Sequence, residues 1–152
     1  MKRFFALMAV CALMVACNEA PQQDKVEKQV AEYMDSYKAA VVANDLHKAI
    51  SIQEEIWDWS DTLDTSDLDK ASAALEEWMA KEYSAMFEAW GTTFVAARAE
   101  AFAAGDYDTV NALDESVSAW FDTLSEGDAE MAEAAVRAAD EKWWEENGDD
   151  YF

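Results

Sequence analysis

The stretch LHKAISIQEEIWDWSDTL (residues 46–63) is answered 61 residues later by YDTVNALDESVSAWFDTL (residues 107–124). Both end in W-x-D-T-L. In the first, Leu46, Ala49, Ile52, Ile56, Trp59 and Leu63 advance by 3, 3, 4, 3 and 4 residues. In the second, Tyr107, Val110, Leu113, Val117, Trp120 and Leu124 advance by the same steps. Steps of three and four draw one apolar face on an α-helix, where about 3.6 residues complete a turn. The two stretches read as one helix written twice.

The repeat extends in both directions. Residues 45–84 and 106–145 share 11 identities in 40 positions. Upstream, Val26, Tyr33, Met34, Ala40 and Val41 match Phe87, Phe94, Val95, Ala101 and Phe102. The body is therefore a unit at 24–84 and a second at 85–145, with an acidic tail at 146–152. Each unit reads as three helices. The first runs over 24–43 and stops at AND (43–45), where Asp45 can cap the next helix by accepting from a free backbone N–H. AGD (104–106) does the same in the second copy, with a glycine at the stop. DTLDTSD and DTLSEGD then lead into the third helix, with Ser66 as the expected cap.

Composition agrees with this reading. One proline and four glycines leave little room for the tight turns of a β-fold, and alanine, glutamate, leucine and methionine favour helix. The predicted fold is all-α, an antiparallel helical bundle built from a duplicated three-helix unit of period 61. Its joint has two forms. Residues 67–104 keep a stripe through Tyr83, Met86, Trp90, Phe94, Ala97 and Ala101, whereas Gly91 with Thr92 and Thr93 offers a kink or a stop. A continuous helix stacks the units end to end, as in spectrin-like repeats; a break folds them side by side. AEAFAAGDYDTVNAL also resembles the hairpin of a tetratricopeptide repeat, although the unit here is far longer, and it supports only the turn.

W-x-D-T-L is expected to be a corner. Trp and Leu four apart share a face and seal the end of the second helix, while Asp and Thr face the loop backbone.

The N-terminus carries a basic MKR, an apolar FFALMAVCALMV too short to span a bilayer comfortably, and MVAC at 14–17. This resembles the lipobox of bacterial prolipoproteins, with Met14 in place of the usual leucine. The resemblance implies that residues 1–16 are removed as a signal peptide and that Cys17 is diacylglycerylated and acylated. Residues 17–23 then form the lipidated cysteine and its tether. Several acyl chains on one residue hold a protein on a membrane far more firmly than one. Asn18, where an aspartate marks inner-membrane retention in enteric-type bacteria, points to the outer membrane. Cys11 leaves with the signal, so the mature chain has neither a disulfide nor a free thiol.

The net charge is −22, and removing Lys2 and Arg3 takes it to −24. Such a chain has no basic footprint for nucleic acid. It suits either a saline habitat or a cationic partner. Catalytic and metal signals are poor. The single histidine, His47, lies off the apolar stripe, and the cluster Asp61, Asp64, Asp67 and Asp69 lacks the spacing and glycine of an EF-hand. No cofactor and no metal site is expected. The unusual feature is seven tryptophans. Trp57, Trp78 and Trp143 have Ser118, Ala139 and Glu82 as counterparts, so the shared core does not require them. They are the candidate binding residues. The expected function is a lipid-anchored, non-enzymatic helical module for binding or assembly in the bacterial envelope. The alternatives are an acidic inhibitor or immunity-type lipoprotein that neutralises a cationic protein, and a carboxylate-based peptidoglycan hydrolase.

Overall fold

A computed structural model describes residues 20–148, with side chains from residue 25 onward. The elements are α1 (Ala20–Val42), α2 (Leu46–Ser60), α3 (Thr65–Ala103), α4 (Tyr107–Phe121) and α5 (Glu126–Asn147), and no strand occurs among the described residues.

The period of 61 reappears in the element boundaries. α2 and α4 begin and end 61 residues apart, α1 and α3 end 61 apart, and α3 and α5 begin 61 apart. The local chemistry repeats too. Asn44 (φ 59°) and Gly105 (φ 70°) take the left-handed conformation that ends α1 and α3. The next residue then bonds back, Asp45 N–H to the Ala40 carbonyl and Asp106 N–H to the Ala101 carbonyl, both at 2.9 Å. This is the Schellman arrangement, which satisfies carbonyls a helix end leaves open. Asp45 and Asp106 then cap α2 and α4 by accepting from Lys48 N–H and Thr109 N–H. α3 is capped by Asp64, whose carboxylate accepts from Asp67 N–H at 2.9 Å, and not by Ser66. Helix entry is two residues earlier than expected, because the aspartate already supplies the acceptor. The 61-residue counterpart of Asp64, Ser125, caps α5.

The joint is a continuous helix. α3 runs 39 residues, about 58 Å at 1.5 Å per residue, serving as last helix of the first unit and first helix of the second. Gly91 does not break it. A Cβ there would lie 2.8 Å from the Ala135 carbonyl oxygen, so the glycine is the point where α3 and α5 touch backbone to backbone. The Thr92 and Thr93 hydroxyls donate to the carbonyls of Glu88 and Ala89 one turn back and leave the helix ladder in place.

α3 is the spine. α1 packs along it, α5 packs along it, α2 packs on α1, α4 packs on α3, and α2 and α4 touch each other. Asp35 meets Trp78, Lys38 meets Glu82 and Asn44 meets Trp90, so α1 and α3 run in the same direction. The upper end of the first unit thereby meets the lower end of the second. Tyr83, Phe87, Trp90, Phe94, Trp120 and Phe121 form one chain of ring contacts there, with centroids 4.8–6.1 Å apart.

This stacking makes the two W-x-D-T-L corners unequal. In both, the Thr hydroxyl donates to the carbonyl of the Trp, at 2.7 Å for Thr62 and 2.6 Å for Thr123. Trp120 is fully buried in the joint, but Trp59 is only half-buried, with Tyr33 against it at 5.6 Å. Both tryptophans pack at the end of their helix, but Trp120 is fully enclosed whereas Trp59 covers the core from its edge and stays half-buried.

Candidate functional site

Burial along the two matched stripes differs at both ends. Leu46, Ala49 and Ile52 at the start of α2 are buried, and cover thins toward Trp59. On α4 only the first position is open: Tyr107 is 59% exposed, Val110 is buried, Leu113 and Val117 are half-buried, and Trp120 at the end is closed off. The same contrast holds around the start of α4. Phe102 is 61% exposed where its counterpart Val41 is fully buried, and Trp144 is 49% exposed where its counterpart Tyr83 is buried. The second unit ends in an uncovered apolar surface that the first unit has covered.

That surface is a groove of about 420 Å³ between the end of α3, α4 and the end of α5. Phe94, Val95, Arg98 and Phe102 line it from α3, Asp114 from α4, and Val136, Asp140, Trp143 and Trp144 from α5. Arg98 and Asp114 join two walls, Nε donating to Oδ1 at 3.1 Å. Trp143 and Trp144 meet edge to face at 5.2 Å, as do Phe102 and Tyr107 at 5.8 Å.

A second groove, of about 590 Å³, lies between α1 and the first half of α3. Trp78 lines it and donates from Nε1 to Asp35 at 3.1 Å. Its walls carry Glu27, Asp69, Lys70, Glu77 and Lys81, a mixed-charge rim around a shallow apolar floor.

The three singled-out tryptophans are therefore not one site. All are half-buried. Trp143 lines the α3–α4–α5 groove, Trp78 lines the α1–α3 groove, and Trp57 sits at the end of α2 and lines neither. Sequence reasoning missed Phe102, Tyr107 and Trp144, because matching them to buried residues of the first copy placed them in the core. The usable signal was position: the second unit covers the first, and no further unit among the described residues covers the second. Cys17 lies outside the described residues.

Buried titratable groups belong to the joint. Burial pushes the Tyr37 and Tyr83 hydroxyls well above the ordinary phenol range, so both stay neutral. Tyr37 accepts from Trp120 Nε1 at 2.9 Å and from Gln53 Nε2 at 3.4 Å, and the Thr123 hydroxyl reaches Gln53 Oε1 at 2.9 Å. Burial also pushes Asp128 above the usual carboxylate range, against the opposing hydrogen bonds from Ser125. None of these groups lines either groove. His47 is exposed on α2. In the acidic loop Asp64 caps α3 and Asp67 pairs with Lys70 at 2.9 Å. No group of three potential ligands among the described residues is arranged to hold a metal, and no described helix is long and apolar enough to cross a membrane.

No family model, curated protein or solved structure matches the chain.

Proposed function

We propose that this protein is a lipid-anchored, non-enzymatic binding module of the bacterial envelope, and that its working surface is the groove between α3, α4 and α5. The observation that carries the reading is the exposure of Phe102, Tyr107 and Trp144 together at one end of the stack. A fold stabilised by burying apolar area gains nothing from leaving three aromatic rings in water, so a contiguous patch of this kind favours a contact surface. The polarity of the molecule fits an anchor. α1 and α3 run in parallel from the same end, and Cys17 precedes α1 in the chain. The groove would stand roughly 50 Å away along α3, at 1.5 Å per residue, facing off the membrane.

Two measurements test this. Cys17→Ser should abolish labelling with radioactive palmitate and release the protein from the membrane fraction. A photo-crosslinking amino acid at Phe102 should trap a discrete envelope protein that the same group at Lys28, on the exposed side of α1, does not. Normal labelling of Cys17→Ser, or identical cross-links from both positions, overturns the reading. The inhibitor variant has one observation in its favour. Seven ion pairs among the described residues tie up Lys28, Lys38, Lys70, Lys81, Arg98, Arg137 and Lys142, against 33 carboxylates in the whole chain. That excess is available to a basic protein.

A further inference from the structure

The first unit shows what the open groove of the second is shaped to receive. Shifted by 61 positions, the groove residues Val95, Arg98, Phe102, Asp114 and Trp144 become Met34, Tyr37, Val41, Gln53 and Tyr83. In the first unit all five are buried, and the end of α4 bonds to two of them, Tyr37 and Gln53. The cover consists of an indole, Trp120, followed one turn later by Thr123. The indole N–H bonds to Tyr37 and the threonine hydroxyl reaches Gln53, so the covering helix end reads the polar pair Tyr37–Gln53 while the Trp120 ring packs on Phe87 and Trp90. In the second unit the same two positions hold Arg98 and Asp114, again bonded to each other, and Phe102 and Trp144 are 61% and 49% exposed.

We infer that the α3–α4–α5 groove is a socket for the end of a cationic amphipathic helix of another protein, entered by a tryptophan-like ring and steered by lysine or arginine on the helix's outer face. The ring follows from the internal template. The positive charge follows from the socket and its surroundings. Asp114 and Asp140 line it against one cation, Arg98, and the chain carries −22 overall. Replacing Tyr37 and Gln53 by an ion pair makes the floor of the second socket charged where the first is neutral. The acidic end of α4 that covers the first socket, with Asp114, Glu115 and Asp122, is repelled by the carboxylates around the second. A second copy of this chain is disfavoured on the same ground. Its remaining corner, Trp59 to Leu63, would have to approach against like charge, and Trp59 already packs on Tyr33. This inference deepens the binding-module reading and rests on it only for the existence of a partner.

The test uses the mature chain with Cys17→Ser and three synthetic peptides of fixed sequence. The first is residues 107–124, the native acidic cover. The second carries Asp108→Lys, Asp114→Lys, Glu115→Lys and Asp122→Lys. The third adds Trp120→Ala to the second. Binding is read by fluorescence anisotropy of labelled peptide and stoichiometry by sedimentation. The basic tryptophan peptide should bind one to one, at least tenfold more tightly than either of the others. Phe102→Ala with Trp144→Ala in the protein should weaken it tenfold or more without moving the unfolding midpoint, since both rings are exposed. If that double variant misfolds, Tyr107→Ala and Asp114→Lys read the same face. Equal binding of the alanine peptide reduces the effect to bulk charge and overturns the socket. So does binding that survives all the groove substitutions, or a dimer of the protein alone that the double variant breaks. Failure of the peptide with success of the Phe102 cross-link removes the socket chemistry and keeps the binding module. Failure of palmitate labelling with success of the peptide does the reverse.

Discussion

Trp120 donates its indole N–H to the Tyr37 hydroxyl oxygen at 2.9 Å, joining α4 of the second unit to α1 of the first across 83 residues of sequence. Both rings are closed off from water, so the bond has no solvent substitute. Trp120→Ala should destabilise by about 3–5 kcal/mol, the range for a large core aromatic, and Trp120→Phe by about 1–2 kcal/mol for the lost donor. Trp59→Ala, at the open corner, should cost only about 1–2 kcal/mol because less area returns to water. Urea unfolding of the three variants gives the order. Equal losses at Trp59 and Trp120 would mean that the two corners are equally packed.

Gly91 supplies the second prediction. In an isolated helix Gly91→Ala would stabilise by about 1 kcal/mol. Here the new Cβ meets the Ala135 carbonyl at 2.8 Å and its carbon at 2.9 Å, both backbone atoms that no rotamer change can move. α5 must shift, and the net effect should be a loss of about 1–3 kcal/mol, growing further for Gly91→Val. A gain in thermal stability for Gly91→Ala would place the two helices farther apart than this.

The helix ends at Asn44 and Gly105 separate backbone strain from a lost contact. Both have positive φ, and a Cβ at Gly105 would meet nothing within 4 Å. Gly105→Ala should therefore cost about 1 kcal/mol from conformation alone. Asn44 also accepts from Trp90 Nε1 at 3.0 Å. Asn44→Gly relieves φ but strands the indole N–H, and Asn44→Ala does both harms, so alanine should be worse than glycine by about 1 kcal/mol. Denaturant midpoints for the three variants decide it.

Much of the architecture was legible because the repeat supplied a second reading of every boundary. The steps on α2 and α4 and the caps Asp45 and Asp106 follow from residue chemistry that acts within one or two turns. What the sequence could not convey was which copy of a matched residue is covered. Val41 and Phe102 sit at the same point of the unit, and so do Tyr83 and Trp144; their burial differs because only the first unit has a neighbour above it. That is a property of stacking, not of local pattern. Gly91 was misleading for a related reason: its requirement comes from Ala135, 44 residues away, and not from its own helix.

Asp128 gives the pH dependence. Burial raises its folded-state pKa above the ordinary carboxylate value, so the folded protein holds the proton more tightly than the unfolded chain. The resulting stabilisation is complete below the unfolded pKa, about 3.9, and is lost as pH rises through the folded value. Asp128→Asn, which keeps an acceptor for the Ser125 hydroxyl now 2.6 Å away, removes this titration. The stability of Asp128→Asn relative to wild type should therefore increase as pH goes from 4 to 7. A difference that stays flat over that range would show that Asp128 is solvated.

Trp57, Trp78 and Trp143 should now behave differently from one another. Trp78 is braced by its bond to Asp35 and by Tyr83 at 6.4 Å, so Trp78→Ala should cost about 1–2 kcal/mol of stability and leave groove binding alone. Trp57 lines neither groove, and its replacement should not alter peptide binding at all. Trp143 sits in the wall of the α3–α4–α5 groove with Trp144 against its edge. Trp143→Ala should weaken the basic tryptophan peptide by about 2 kcal/mol, the scale of an interface hot spot, with a smaller change in stability. Anisotropy and urea unfolding on the same three variants separate the effects. If Trp78→Ala or Trp57→Ala weakens binding as much as Trp143→Ala, the three rings act through the fold as a whole, and the groove is not where the partner is held.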